Sequence, residues 1–132
     1  ILKIDELKVV TNTRPTEDSI KSMLFGWQVL KHVKSNAIIT VKDNTTVGIG
    51  AGQVSRIDAV DIAISKSKAA IKGSILCSDA FFPFRDSIDK ISQYSINGVI
   101  QPGGSIKDNE VIDACNEHNI PMVFTGRRCF KH

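Results

Sequence analysis

The chain has 132 residues, of which 42% are hydrophobic and 23% charged, a composition that belongs to an ordinary globular domain rather than to a disordered chain. A net charge of +3, from 17 Lys and Arg against 14 Asp and Glu, is too small for a nucleic-acid-binding surface when the basic residues are scattered among acids. Apolar runs of a few residues fall far short of the ~20 that cross a bilayer, so a soluble, cytoplasmic protein is expected, with neither nucleic acid nor membrane as partner.

The chain opens on Ile1 with no basic-then-apolar leader, and it reads as a piece of a longer polypeptide. After an extended entry, "LKVVTNTRP", a helix is predicted from Thr16, whose hydroxyl caps it. Ile20, Met23, Leu24, Trp27 and Leu30 recur there at helical spacing. "SNAIITVKDNTTVGIGAG" reads as a β-hairpin turning at "KDNTT". A second helix starts at Ser55, with Asp58 at capping-box distance and a stripe of Ile57, Val60, Ile64, Ser67 and Ile71.

"SILCSDAFF" then reads as a buried strand, Asp86 to Tyr94 as a short helix and "NGVIQPGG" as a strand. Ser105 to Glu117 reads as a helix capped by Ser105 with Asp108, and "IPMVFT" as a last strand. Strands alternating with helices imply parallel pairing and a layered α/β/α domain with an antiparallel hairpin edge. No repeat or linker divides residues 1–132, so a single domain is expected.

Ligands in open α/β sheets gather beyond the carboxyl ends of the strands, and four unusual segments fall there: "GAGQVSR", "SDAFFPFRD", "QPGGS" and "TGRR". In the first, glycines before a helix start and the permanent charge of Arg56 suit a phosphate or carboxylate. "GIGAGQ" fails the dinucleotide fingerprint, because Gln53 stands where the third glycine is required. In the second, three of the six phenylalanines surround Pro83. Phe81 and Phe82 suit either core or cavity, while Phe84, between the proline and Arg85, is expected at the surface, where a ring can stack on a flat heterocycle. Ser105 suits a helix cap. Arg127 and Arg128 read either as a solvated tail or as a fork for an oxyanion.

Catalytic zinc of the deaminase type is not expected, because His32, His118 and His132 open no H-x-E and Cys77, Cys115 and Cys129 form no C-x-x-C. The three cysteines fit reduced thiols. Cys115 sits beside Val111 and Ile112 on an apolar stripe and reads as core, and both His32 and His118 read as helix-surface residues.

"KHVKSNAI", "GIGAGQVSR", "SDAFFPFRD", "VIQPGGS" and "VFTGRRCFKH" closely resemble, in order and spacing, the C-terminal part of the bifunctional purine biosynthesis family, within its AICAR transformylase domain. The resemblance implies a cytidine-deaminase-like α/β fold without a zinc site. It implies formyl transfer from 10-formyltetrahydrofolate to the 5-amino group of AICAR, on the way to IMP, in a homodimeric protein that also carries an IMP cyclohydrolase. Position by position, Asn36, Arg56, Phe81 and Arg128 are implied as contacts of the nucleotide substrate. Ile57, Pro83, Phe84, Asp86, Ser105 and Ile106 are implied as the folate-side wall. A monovalent cation, potassium, is implied near Ser35 and Asp79.

The family's catalytic Lys-His pair, in a Lys-His-Gly context, has no match here. Lys31-His32 falls inside a predicted helix, so the piece alone is expected to be inactive. Two alternatives remain beside the enzyme: a non-catalytic nucleotide-binding module and a dimerisation scaffold.

Overall fold

The computed structural model describes residues 2–127. Its centre is a six-stranded sheet in the order β1-β6-β5-β4-β2-β3. β2 (Ile38–Lys42) and β3 (Thr45–Gly50) form the expected hairpin, with Asp43 and Asn44 at positive φ in its turn, as two-residue hairpin loops require. β2 runs antiparallel to β4 (Ile75–Ser78) as well as to β3. β4 is parallel to β5 (Gly98–Gln101), and β5 to β6 (Met122–Phe124). Consequently β3, β4, β5 and β6 all point the same way, and the four segments singled out above leave the sheet at one edge. The extended entry is itself a strand, β1 (Lys8–Val9), antiparallel to β6.

Helices cover both faces. α1 (Glu17–Leu30) is capped by the Thr16 hydroxyl, which accepts from the Ser19 amide. It buries Met23, Trp27 and Leu30 against Ile39, Val41, Ile75 and Cys77, whereas Ile20 and Leu24 lie at the half-buried margin of the stripe. The opposite face is covered by α2 (Arg56–Ser67), α3 (Asp86–Ile91) and α4 (Asp108–Glu117). Phe82, Ile88, Val111, Cys115 and Met122 share a core with Val60 and Ala63 on that side. The layered α/β/α expectation is therefore realised, and among the described residues no helix is long and apolar enough to cross a membrane.

Several expected boundaries shift for local reasons. The second helix was expected to run to Ile71 but breaks at Lys68, whose φ of 52° leaves the helical region, and a 3-10 turn carries the chain to Ile71. α1 ends at Leu30, so Lys31 and His32 lie in the turn beyond it rather than inside a helix. The last helix begins at Asp108, not Ser105. The Asp108 carboxylate accepts from the Gly104 and Ser105 amides at 2.9 and 3.1 Å and holds those residues in a non-helical turn. β4 stops at Ser78, because the Asp79 carboxylate takes the Ala37 amide from the neighbouring strand's entry and the chain then turns into the phenylalanine loop.

Candidate functional site

β2 starts and β3 ends at the same sheet edge, so the loop before β2 lies against the loop after β3. Asn36 and Gln53 exchange backbone hydrogen bonds of 3.2 and 3.3 Å, and the Gly52 amide donates to Lys34 O at 2.7 Å. The pairing fixes the Asn36 side chain beside the start of α2, where its amide donates to Val54 O at 2.9 Å. Ser55 caps α2 by accepting from the Asp58 amide at 3.2 Å, which sets Arg56 on the first turn, pointing back under the same loop.

The phenylalanine loop closes the other side. Proline at position 83 provides no backbone donor and cannot extend the ladder, so the chain leaves β4 and re-enters a helix only at Asp86. Phe82 turns into the core and is fully buried, while Phe84 is 56% exposed. The exposed Phe84 follows the expectation, and of the two rings left open Phe82 is core and Phe81 half-buried.

Between the two loops lies a cavity of about 440 Å³. Its walls bring together Asn36, Arg56, Ile57, Phe81, Pro83 and Phe84, with Asp86 also lining it. Seven of the residues assigned by resemblance thus converge on one depression from three separate segments. The walls are mostly apolar, which suits a planar ring system with a few polar edges. Val54, Ser55 and Ala80 line it as well. Val54, 97% exposed, was missed by the sequence reading, although an apolar residue immediately before a helix cap was its available signal.

Ser105 and Ile106 leave the same sheet edge beyond β5 but are not part of the cavity wall. The Ser105 hydroxyl accepts from the Lys107 amide at 3.0 Å, and Ile106 is fully exposed. Arg128 lies outside the described residues. Arg127 does not present a free fork, because it is ion-paired with Glu6.

The main correction concerns Arg56, expected to offer its charge to an anion. Only 8% exposed, its guanidinium meets the fully buried Asp79 carboxylate at 2.6 Å, and donates to Ala37 O at 3.1 Å and to Asn36 Oδ1 at 2.9 Å. A buried guanidinium requires such a partner. Asp79 is engaged in turn by the Ser35 hydroxyl at 2.6 Å and the Ala37 amide at 3.2 Å. Ser35 and Asp79, implied as neighbours of a cation, are bonded to each other, and the carboxylate's charge is matched by Arg56. The glycines before α2 also do other work. A Cβ on Gly48 would overlap the Ala63 carbonyl oxygen and one on Gly50 the Ala59 carbonyl oxygen, so these two admit the helix, whereas Gly52 has a φ of 64° and no close neighbour.

Outside the cavity, Arg85 forks onto Asp89, at 3.0 Å, and Glu117, at 2.5 and 3.2 Å, tying α3 to α4. His118, at the exposed end of α4, adds a 3.0 Å contact to Asp89. Asp89, Glu117 and His118 have ligand atoms within 4.8 Å of one another, but the Arg85 guanidinium occupies both carboxylates. It holds Asp89 down to about 2, with a smaller contribution from His118, and lowers Glu117 as well.

A family model described as the AICARFT/IMPCHase bienzyme matches residues 1–66. The bifunctional purine biosynthesis protein PurH of Persephonella marina is 55% identical over 131 residues, covering 97% of this chain and 25% of its own length. Its counterpart in Dictyostelium discoideum is 58% identical over 125 residues, covering 95% and 23%. The chain therefore spans about a quarter of the length of the curated relatives it matches. Among solved structures, Acinetobacter baumannii RibD superposes with a TM-score of 0.58 at 11% identity, over 77% of this chain and 34% of that one. That likeness concerns the fold.

Proposed function

The chain belongs to the AICARFT/IMPCHase bienzyme family, and from that premise we propose that it forms one wall of the site at which a purine-biosynthesis enzyme transfers a formyl group from 10-formyltetrahydrofolate to the 5-amino group of AICAR. The observation that carries the reading is the cavity. It joins Asn36 and Arg56 on one side to Pro83, Phe84 and Asp86 on the other, so two planar reactants can be held face to face.

In this reading Asn36 and Arg56 supply fixed hydrogen-bonding partners to the nucleotide's heterocycle. Phe81 lies between the reactants, and Ile57, Pro83 and Phe84 provide apolar faces for the folate ring. The amine must attack the formyl carbon, the bond to the folate nitrogen must break and the amine's proton must be accepted. Holding amine and carbon in contact supplies the proximity part of the rate enhancement. In this reading Asp86, the carboxylate on the cavity wall, belongs to the folate side, and the proton acceptor is contributed by chain outside this wall. Ser105, Ile106 and Arg128 are assigned to the same site as elements that reach it in the complete enzyme. A potassium ion near Ser35 and Asp79, a homodimer and a cytoplasmic setting complete the proposal.

The test uses the full-length protein and measures two reactions, formyl transfer and IMP cyclisation. Phe84→Ala is expected to lower kcat/KM for formyl transfer roughly tenfold, equivalent to about 1.4 kcal/mol, with cyclisation unchanged. If cyclisation falls and formyl transfer does not, the chain belongs to the other active site. Loss of neither would favour the scaffold.

A further inference from the structure

Arg85 stands between Phe84 and Asp86, both of which line the cavity. Its guanidinium is turned instead to α4, where it meets Glu117 at 2.5 and 3.2 Å. We propose that Arg85 and Glu117 are positioning residues: their fork makes α4 the backstop of the phenylalanine loop and so sets where Phe84 and Asp86 stand. The inference rests on the functional reading above for the reactant concerned, the folate, and adds two residues that touch neither reactant.

The loop needs such a tie. Phe84 is 56% exposed, so packing alone does not fix its ring, and Pro83 brings no backbone donor to hold the loop. α3, which Asp86 opens, has six residues, too few to keep its shape unaided. Ile88 and Ile91 anchor its inner face in the core, and Lys90 meets Asp61 of α2 at 3.1 Å. Arg85 ties the remaining end, the one that carries the loop. α4 is a firm support because Val111, Ala114 and Cys115 are fully buried. Arg85 commits four of its five N–H groups, two to Asp89 and two to Glu117, a planar double fork that lysine, a point charge on a flexible stem, does not reproduce. With side chains 32% and 57% exposed, the link between Arg85 and Glu117 adds only modestly to stability. Its contribution is direction: it orients the two residues of the wall that flank Arg85.

The experiment compares Arg85→Lys, Glu117→Ala and the double variant in the full-length protein. Each single variant is expected to raise KM for 10-formyltetrahydrofolate about fivefold while KM for AICAR and the rate of IMP cyclisation stay unchanged, a split that a merely structural role would not produce. The double variant is expected to be no worse than Arg85→Lys, because both changes remove the same link. In parallel, amide hydrogen exchange of the peptide spanning residues 79–88 is expected to quicken in both single variants. An unchanged folate KM in the folded variants, an equal rise of both KM values, a multiplicative effect in the double variant or unaltered exchange overturns the inference. Should the wild-type protein transfer no formyl group, the functional reading fails, while the exchange measurement still decides whether Arg85 and Glu117 hold the loop.

Discussion

Arg56 and Asp79 lie 23 positions apart, on a helix start and a strand end, and no local pattern joins them. Sequence reading found each residue and gave each a role, but the ion pair between them depends on β2, β3 and β4 lying side by side. Its energetic consequence is asymmetric. Removing one partner leaves a charge buried without compensation, which costs about 3–5 kcal/mol. Asp79→Ala is therefore expected to shift the urea midpoint far more than Asp86→Ala, whose carboxylate is exposed. A double-mutant cycle with Arg56→Met should return part of the loss, because the neutral pair no longer strands a charge. Equal destabilisation by Asp79→Ala and Asp86→Ala in equilibrium unfolding would mean that the buried pair is not the anchor of this wall. The phenylalanine loop was more legible. Proline at the end of a strand and a ring flanked by Pro83 and Arg85 are local facts, and they place Phe84 at the surface, whereas the burial of Phe82 was left open between core and cavity.

Element boundaries were legible where a cap carries the information and illegible where a single backbone angle does. Thr16 and Ser55 announce their helices, whereas nothing in "SKSKAAIK" reveals that Lys68 adopts a φ of 52°. A non-glycine residue held there stores about 1–3 kcal/mol, more than the ~0.5–1 kcal/mol that glycine costs in entropy. Lys68→Gly is accordingly expected to raise the thermal midpoint by a few degrees, and a lowered midpoint would show the strain to be absent. The pairing of α3 with α4 is equally non-local, since Arg85 reaches Glu117 across 32 positions. Its pH dependence has a definite sign. Asp89 and Glu117 have folded pKa values depressed mainly by hydrogen bonds from Arg85, so their contribution is present above the unfolded carboxylate range near pH 4. It disappears as pH falls toward the folded value of about 2 for Asp89. Thermal scans of wild type and Arg85→Gln should differ at pH 6 and converge near pH 2. A constant gap across that range would assign the difference to packing.

At the scale of the whole molecule, the alternation of strands and helices gave the layers and the common edge from which the site is built, because period and connection length are written locally. The closing of the cavity was not, since it needs the two ends of the hairpin to meet the loop after β4. Among the described residues the two sides of the sheet also hold one buried thiol each: Cys77 in the cluster under α1 and Cys115 in the cluster under α2 and α4. Burial pushes the Cys115 thiol up to about 12 and raises Cys77 further, so neither is a thiolate near neutrality and neither reacts until its layer opens. If one sheet serves as the floor of both cores, the layers cannot open separately, and both thiols should be labelled at rates with the same dependence on urea. Peptide-resolved mass spectrometry of alkylation measures this directly. Labelling of Cys77 at low urea while Cys115 stays protected would show that α1 detaches alone and that the cavity on the sheet edge survives without it. Matching slopes would show that the site exists only while both layers are closed.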